Sequence, residues 1–317
     1  MQAVLLDYAT LGPGLDLEPL RQHFPDLEVH EDTSNAQLAE RIRDAEFVFA
    51  NKIRLTDSLL HAAKRLRFIG LTATGTDNVD LESARTHGVA VCNIRGYCTQ
   101  SVVEHVFGSL LTLTHSLNRY NASVRAGEWQ RASDFCVLTH PIRELSAMTL
   151  GVIGYGTLGQ GVVRVAKTFG MRILVSARPG SCTVPADRIG FDDLLAEADV
   201  ISLHCPLNEQ TRGLFGADQF RHMKSTAFLI NTSRGALIDS AALAVALGDG
   251  QIAGAAIDVL AEEPPVNGDP LLDYRGDNLL ITPHIAWASD EARQNAIDEV
   301  ARNVAAFLNG EQRNRVV

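Results

Sequence analysis

Three ionisable side chains follow predicted strands in the second half of the chain. Arg234, Glu263 and His284 each come a few residues after a run of apolar residues typical of a strand. In open sheets of parallel strands, ligands bind at the edge where the strands end. A guanidinium can hold a carboxylate through two parallel hydrogen bonds, histidine can transfer a proton near neutral pH, and a carboxylate can orient that histidine. The set could bind a carboxylate and protonate a nearby oxygen.

Each of these residues also has an ordinary structural explanation when taken alone. Arg234 could be a surface cation, Glu263 a solvated acid before two prolines, and His284 a loop histidine. The chemical interpretation requires that the three side chains, far apart in sequence, converge at one site. It also requires a reductant, because reduction of a keto group needs a hydride at carbon together with a proton at oxygen.

A glycine-rich turn provides a candidate site for that reductant. Residues 154–159 read GYGTLG, follow a predicted strand at 150–153 and precede apolar residues at helical spacing. The first glycine permits a tight turn, the second lets backbone N–H groups approach a pyrophosphate, and the third lets helix and strand pack closely. Flavin and methyl-donor folds share such turns, but the order of strand, turn and helix favours a dinucleotide. The predicted contacts are Gly154, Gly156, Thr157, Leu158 and Gly159.

The residues expected near the adenosine ribose depart from the usual NAD pattern. A carboxylate about 20 residues after the turn usually binds the ribose 2′-hydroxyl of NAD. Here the second strand ends in Ser176, Ala177 and Arg178, with no acid. A 2′-phosphate would be repelled by an acid but attracted by Arg178 and Ser176. The pattern favours NADP(H) or relaxed selectivity, unless Arg178 is only a solvated surface charge.

Alternating strands and helices must position these groups. Strand-like runs occur at residues 3–8, 47–50, 68–73 and 89–92, and again at 150–153, 173–176, 200–204, 227–231, 252–258 and 279–282. Strands that alternate with amphipathic helices form parallel sheets covered by helices. The predicted fold class is therefore α/β, with two doubly wound parallel-sheet domains, one flavodoxin-like and one Rossmann-like.

A long helical run from residue 99 marks the expected crossing between these domains. Ser101 and Glu104 have the spacing of a capping box ahead of apolar residues at helical spacing. The C-terminal run from 286 to 310 carries apolar residues on one helical face and could pack on the first domain. The expected domains are residues 1–98 plus 287–317, and residues 99–286.

Composition excludes some classes of partner. Of the 317 residues, 38 are acidic and 28 are basic, so the formal net charge of -10 disfavours nucleic acids and anionic membrane surfaces. The N-terminus lacks the basic region of a signal peptide, and no stretch approaches the ~20 apolar residues of a membrane helix. Five scattered cysteines without a C-x-x-C pair favour free thiols in the reducing cytoplasm, and no metal site is expected. They are Cys92, Cys98, Cys136, Cys182 and Cys205.

These motifs resemble the D-isomer-specific 2-hydroxyacid dehydrogenase family, and within it the glycerate dehydrogenase or hydroxypyruvate reductase branch. The resemblance covers nearly the whole chain, and its most specific blocks are residues 154–159, 231–235, 258–265 and 282–287, in that order. It implies an oxidoreductase that transfers a hydride between NAD(P)H and a small 2-keto acid or D-2-hydroxy acid. Hydroxypyruvate and glyoxylate are the substrates favoured by the branch.

The resemblance also implies roles for individual residues. Arg234 would bind the substrate carboxylate and polarise the carbonyl, His284 would be the acid or base, and Glu263 would be its partner. Asp258 would contact the nicotinamide carboxamide. The remaining implied cofactor contacts are Cys205, Pro206 and Thr232.

The first domain resembles the substrate domain of this family. Asn51 would line the substrate pocket, and backbone N–H groups of Ala73, Thr74 and Gly75 would bind the substrate carboxylate. Family members are typically homodimers built around a region that corresponds to residues 119–140. The two domains are expected to close over cofactor and keto acid and so exclude water from the reaction.

Two alternatives remain open at this level. Transcriptional corepressors share this fold and these three residues, so the protein could be a nucleotide-sensing interaction protein. Against that reading, we expect no additional tails that would recruit partners. Alternatively, phosphite or formate dehydrogenases use the same scaffold, arginine and histidine.

Overall fold

The computed structural model describes residues 1–180 and 183–317, which divide into two compact units. The first unit comprises Met1–Cys98 and Trp287–Val317, and the second comprises Thr99–Ala286. Each contains one sheet of parallel strands flanked by helices, which confirms the predicted α/β class. Cys182 lies outside the described residues.

The first unit contains a five-stranded sheet. Its strands are β1 (Ala3–Leu5), β2 (Glu28–Val29), β3 (Phe47–Ala50), β4 (Phe68–Leu71) and β5 (Ala90–Cys92). Its helices are α1 (Glu18–Arg21), α2 (Asn35–Ile42), α3 (Asp57–Ala62), α4 (Leu81–Thr86) and the C-terminal α12 (Asp290–Leu308). The strand order is β2-β1-β3-β4-β5, the order of a flavodoxin-like sheet.

Alternation along each strand divides the apolar residues of this unit between two cores. Successive side chains of a strand point to opposite faces of the sheet. Phe47 and Phe49 therefore pack in one core and Val48 and Ala50 in the other. Helix α12 contributes its apolar face to the phenylalanine side, as the helical spacing of the C-terminal run indicated.

The second unit contains a six-stranded sheet. Its strands are β6 (Thr149–Ile153), β7 (Arg172–Val175), β8 (Val200–Leu203), β9 (Phe228–Asn231), β10 (Gly254–Ile257) and β11 (Leu279–Ile281). Its helices are α5 (Thr99–Thr114), α6 (Leu117–Arg125), α7 (Thr157–Thr168), α8 (Phe191–Glu197), α9 (Ala217–His222), α10 (Ser240–Gly248) and α11 (Pro270–Asp273).

The strand order of this sheet creates a ligand-binding edge. The order is β11-β10-β9-β8-β6-β7, so the chain adds β7 on one side of β6 and the later strands on the other. Such a reversal opens a crevice at the carboxyl ends of the two strands that flank it, here β6 and β8. Beyond β7 a parallel bridge joins Ser176 to Ile189, in the place of a further short strand. The glycine turn follows β6 and therefore lies at this reversal.

The structure differs from two local predictions. Helix α5 begins at Thr99, so Ser101 lies inside the helix and the predicted capping box with Glu104 is wrong. The Ser101 hydroxyl instead donates a hydrogen bond to the carbonyl of Ala286 over 2.7 Å. Strand β2 was not predicted, because two residues are too short to show an alternating pattern.

Candidate active site

The glycine turn has the backbone geometry that dinucleotide binding requires. Gly154 has a φ of +95°, and a Cβ there would lie 2.4 Å from the backbone nitrogen of Cys205. A Cβ on Gly159 would lie 2.1 Å from the carbonyl oxygen of Gly154. A Cβ on Gly156, the N-cap of α7, would meet only open space. The outer glycines are thus needed for packing, and the middle one leaves the helix N-terminus accessible to a phosphate.

The segment that follows β7 carries two arginines, Arg178 and Arg188, and one carboxylate oxygen of Asp187 lies 3.3 Å from Arg188 Nε. Arg178 is exposed, whereas Ser176 and Ala177 are buried and the Ser176 hydroxyl donates to the Ala177 carbonyl over 2.7 Å. Sequence reasoning missed a second cation, Arg188, which precedes the bridging residue Ile189. Its guanidinium lies 4.6 Å from the centre of the Tyr155 ring, beside the glycine turn. Both arginines therefore belong to the segment that leaves the carboxyl end of β7.

The ends of β8 and β9 contain an unsatisfied polar group. The Ser233 hydroxyl donates to the Cys205 carbonyl over 2.8 Å and ties the two loops together. Cys205 is buried, and Pro206 beside it is exposed. Thr232 Oγ1 is buried without a hydrogen-bond partner among the described residues. A buried hydroxyl at a ligand-binding edge fits a bound partner, because leaving such a group unpaired is costly.

His284 and Glu263 form a close pair. His284 Nδ1 lies 2.6 Å from Glu263 Oε2, and the backbone N–H of Leu260 donates to Glu263 Oε1 over 2.9 Å. Each of the paired side chains is about one third exposed, at 31% and 33%. The carboxylate is therefore fixed by the backbone and in turn fixes the imidazole ring. This arrangement leaves Nε2 as the nitrogen that can exchange a proton with a ligand.

Asp258 supports the loop that carries His284. Its carboxylate is 2% exposed and accepts hydrogen bonds from the backbone N–H groups of Ile285 and Ala286, each over 2.9 Å. The carbonyl of Asp258 accepts from the His284 N–H over 2.7 Å. His284 itself has a φ of +56°, in the left-handed region that non-glycine residues rarely occupy. The backbone is held in this conformation by its neighbours.

Arg234 lies on the next loop along the same edge of the sheet. Strands β9, β10 and β11 are in parallel register, with Asn231 beside Ile257 and Ile257 beside Ile281. The Asn231 amide donates to the Arg234 carbonyl over 2.9 Å. A Cβ on Gly235 would lie 2.0 Å from the carbonyl carbon of Leu260. The loops that carry Arg234 and Glu263 are therefore in backbone contact.

An apolar cavity of about 600 Å³ adjoins the histidine–glutamate pair. Leu260, Pro264, Pro265, Ile281 and Pro283 are among its lining residues, together with Glu263 and His284. An apolar wall beside an ionisable pair lowers the local dielectric and strengthens its interactions.

In the first unit, Asn51 belongs to a loop held by a buried carboxylate. Asp7 is 1% exposed and accepts hydrogen bonds from the backbone N–H groups of Asn51, Lys52 and Ile53. Burial raises the pKa of Asp7, and these backbone hydrogen bonds oppose that effect. The Asn51 amide nitrogen donates to the Thr10 hydroxyl over 3.0 Å. Sequence reasoning missed Asp7, because nothing in its local sequence shows that it binds a loop more than 40 residues away.

Residues 73–75 follow β4 in the same unit. The Thr74 hydroxyl donates to the Ile94 carbonyl over 2.9 Å, and the Thr74 carbonyl accepts from the Asn93 amide over 2.7 Å. Among the described residues, the backbone N–H groups of Ala73, Thr74 and Gly75 have no acceptor. Successive unpaired N–H groups of this kind can bind an anion.

Burial shifts the pKa of several other reactive groups in the described parts of the chain. Burial raises the pKa of Cys92 and of Cys98 to about 11, so both thiols are protonated at neutral pH. Burial lowers the pKa of His204 to about 4, so this histidine is neutral. Within residues 1–180 and 183–317, no group of three or more His, Cys, Asp or Glu side chains could hold a metal ion. No helix described there is long and apolar enough to cross a bilayer.

Comparison with known proteins identifies the family. A fold with a dinucleotide turn and a paired histidine and glutamate is typical of nicotinamide-dependent oxidoreductases. The family model for the NAD binding domain of D-isomer specific 2-hydroxyacid dehydrogenases matches residues 107–286. The chain belongs to the D-isomer specific 2-hydroxyacid dehydrogenase family, which confirms the resemblance found in the sequence.

Two relatives have related names. The chain is 41% identical to a glycerate dehydrogenase of Methylorubrum extorquens over 88% of each chain. It is 35% identical to a hydroxypyruvate reductase of Blautia hydrogenotrophica, over 100% of this chain and 99% of that one. These names agree with the branch predicted from the sequence.

Solved structures with the same fold hold both nicotinamide cofactors. An acyclic imino acid reductase in complex with NADPH and D-Arg has a TM-score of 0.87 and 26% identity, with 100% of both chains covered. A D-lactate dehydrogenase from Aquifex aeolicus, complexed with NAD and lactic acid, has a TM-score of 0.82 and 28% identity, over 98% of this chain and 96% of that one. The comparison supports a nicotinamide cofactor and leaves NAD and NADP both open.

Proposed function

We propose that this protein reduces hydroxypyruvate or glyoxylate to the corresponding hydroxy acid, of D configuration where the product is chiral, using NADPH or NADH. The observation that carries the proposal is the 2.6 Å contact between His284 Nδ1 and Glu263 Oε2 at the carboxyl edge of the cofactor-type sheet. The names of the relatives favour these two keto acids.

His284 is proposed as the acid that protonates the substrate oxygen. Glu263 holds Nδ1, so the protonated ring presents Nε2–H to the carbonyl oxygen as negative charge develops there. The carboxylate also stabilises the positive charge of the imidazolium before the proton leaves. In the oxidative direction the neutral ring accepts the hydroxyl proton at the same nitrogen.

Arg234 and residues 73–75 are proposed to bind the substrate carboxylate. A guanidinium can donate two parallel hydrogen bonds to it, and the unpaired backbone N–H groups of Ala73, Thr74 and Gly75 are further donors. Arg234 would also polarise the keto oxygen. Asn51, whose loop is fixed by Asp7, is proposed as a further substrate contact.

The glycine turn is proposed to hold the cofactor. The pyrophosphate would bind at the N-terminus of α7 through residues 156–159, and Thr232, Cys205, Pro206 and Asp258 are proposed as further contacts. The bound nicotinamide supplies the hydride that the protein's own side chains cannot. Two observations support this site: the Thr232 hydroxyl is buried without a hydrogen-bond partner among the described residues, and a Cβ at Gly156 would meet only open space.

NADP(H) is the proposed preference of the site. Arg178 and Arg188 both lie in the segment after β7, and residues 176–178 lack the acid that would select NAD. Arg188 is also paired with Asp187 over 3.3 Å. The Ser176 hydroxyl would have to rotate away from the Ala177 carbonyl before it could bind a phosphate.

The protein is also proposed to be a homodimer in a reducing compartment, the cytoplasm. Residues 117–142 expose several large apolar side chains, with Phe135 89% and Leu138 79% exposed. Exposed apolar residues concentrated in one segment are typical of protein interfaces. The four cysteines described in the structure are unpaired, which suits such a compartment.

A panel of small keto acids with NADH and with NADPH tests the proposal directly. Loss of reduced nicotinamide absorbance should be fastest with hydroxypyruvate or glyoxylate, and chiral analysis should show the D isomer of glycerate from hydroxypyruvate. Turnover restricted to a bulkier keto acid would contradict the proposed substrate, and absence of turnover on every keto acid would contradict the proposed function.

A further inference from the structure

We propose that His105 is a positioning residue for His284, acting through a hydrogen-bonded chain of Thr282 and Asp258 that fixes the loop on which His284 lies. The inference rests on the proposed role of His284 in proton transfer. His105 lies on α5, which belongs to the same unit as His284 but follows none of the strands that form the binding edge.

The number of available protons determines which atom donates in each of these hydrogen bonds. Thr282 Oγ1 donates to Asp258 Oδ1 over 2.6 Å, a short distance typical of a hydroxyl bound to a carboxylate. A threonine hydroxyl has one proton, so Oγ1 can only accept from His105 Nε2, which lies 3.1 Å away. His105 must therefore carry a proton on Nε2.

The hydrogen-bonded chain ends at the backbone of the loop that carries His284. Asp258 Oδ1 accepts from the N–H of Ile285, and Oδ2 accepts from the N–H of Ala286. These donors follow His284 directly, and its own N–H donates to the Asp258 carbonyl. The carboxylate thus holds the residues that keep His284 at a φ of +56°.

His105 connects this network to helix α5. Its side chain is 19% exposed, and Nε2 lies 3.8 Å from Asp258 Oδ1, the charged group that faces it. The charged group facing His284 is Glu263. Without His105, Thr282 Oγ1 loses its donor, and the loop loses one of its hydrogen-bonded connections to α5 while the bond from Ser101 to the Ala286 carbonyl remains. His284 is then aligned less closely with Glu263. A misplacement of about 1 Å at a reacting group can lower the rate by about 100-fold.

Matched variants of His105 test this role. His105→Phe keeps a ring but removes the donor, and it should lower kcat by roughly 10- to 100-fold while leaving KM for the nicotinamide unchanged. His105→Gln places an amide N–H near the same position and should regain most of that loss. Thr282→Val should lower kcat similarly, and the double variant with His105→Phe should be no slower than the slower single variant.

The pH profile separates positioning from simple destabilisation. In His105→Phe the alkaline limb of keto-acid reduction should move to lower pH, because a less aligned Glu263 stabilises the protonated His284 ring less. His115→Phe, just beyond the end of α5, is the matched control and should change neither kcat nor the limb. A lower melting temperature with kcat and the limb unchanged in His105→Phe would overturn the proposal.

Nitrogen NMR gives a readout that needs no turnover. In the wild-type protein with labelled histidines, the neutral His105 ring should show the Nε2–H tautomer. An Nδ1–H tautomer overturns the positioning role. Failure of the wild-type protein to reduce any keto acid would contradict the proposed function, while this NMR signal would still decide the inference.

Discussion

At the scale of single residues, the histidine–glutamate pair is the most specific feature of the site. Glu263 Oε1 is held by the backbone N–H of Leu260, which leaves Oε2 directed at His284. A carboxylate with one oxygen fixed by the backbone can orient an imidazole without itself needing to move a proton. Because His284 is proposed to transfer the proton and Glu263 to orient it, substitutions at the two residues should have different consequences.

Substitution of His284 should reduce turnover without weakening cofactor binding. His284→Gln removes the acid, so kcat for keto-acid reduction should fall by about 10²- to 10⁴-fold. The residue lies outside the glycine turn, so the dissociation constant of the nicotinamide, measured by fluorescence titration, should remain close to that of the wild type. Glu263→Gln keeps an acceptor for Nδ1–H and should cause a smaller loss. Wild-type turnover in His284→Gln would remove His284 from the mechanism.

His204 should make the protein less stable as the pH falls. Burial lowers the pKa of His204 to about 4 from an ordinary value of 6.5, so between these values the unfolded chain binds a proton that the folded protein does not. The free energy of unfolding is therefore unaffected by His204 above pH 6.5. It falls by up to about 1.4 kcal/mol per pH unit as the pH drops from 6.5 towards 4.

Urea unfolding at several pH values measures this effect. The control is His204→Gln, which keeps an amide for the Ser202 hydroxyl, now 2.8 Å from His204 Nε2, but does not titrate. The free energy of unfolding should fall more steeply with decreasing pH in the wild type than in the variant. Parallel curves would show that His204 does not contribute.

At the scale of elements, the sequence predicted the strands and turns whose formation depends on a local pattern of residues. All ten predicted strand runs contain a strand, because buried parallel strands have continuous apolar sequences bounded by turns. The glycine turn, and the positions of Arg234, Glu263 and His284 after strands, could be identified for the same reason. The spacing from the glycine turn also showed that residues 176–178 lack the acid that usually binds the ribose of NAD.

Other features depend on contacts between distant segments and have no local signal. The bonds from His105 to Thr282 and from Asp7 to residues 51–53 join residues at least 44 positions apart. Arg188 lies ten residues beyond Arg178, and in the described part of that segment a bridge from Ile189 to Ser176 returns it to the end of β7. The capping-box prediction at Ser101 was wrong because helix α5 already begins at Thr99, ahead of the residue that was expected to cap it.

The segment after β7 should determine the choice between NADP and NAD. Charge-assisted hydrogen bonds contribute about 1.5–3 kcal/mol, so Arg188→Leu or Arg178→Leu should raise KM for NADPH about tenfold or more. KM for NADH should change little, because its ribose carries no phosphate. Arg172→Leu is the control, since Arg172 lies at the opposite end of β7 and pairs with Glu197 over 2.6 Å. A strong preference of the wild type for NADH would contradict this assignment.

At the scale of the whole molecule, the exposed apolar residues are not distributed evenly. Leu117, Val124, Trp129, Phe135, Leu138 and Ile142 account for six of the fifteen large apolar side chains that are exposed among the described residues, within a segment of 26 positions. Elsewhere such residues are isolated, as is normal for a protein surface. The concentration predicts that this segment is covered by another chain, and the family resemblance implies a second copy.

Self-association through this segment can be measured by light scattering. The wild type should have twice the chain mass of 34.3 kDa, and the double variant Phe135→Ser with Leu138→Ser should shift towards the mass of one chain. Both side chains are exposed, at 89% and 79%, so their replacement removes apolar contact area between copies without opening a cavity in either core. Val245→Ser, an exposed apolar residue on α10, is the control and should leave the mass unchanged. A wild-type mass of 34.3 kDa at micromolar concentration would contradict the dimer, whereas an unchanged dimer in the double variant would assign the interface to another surface.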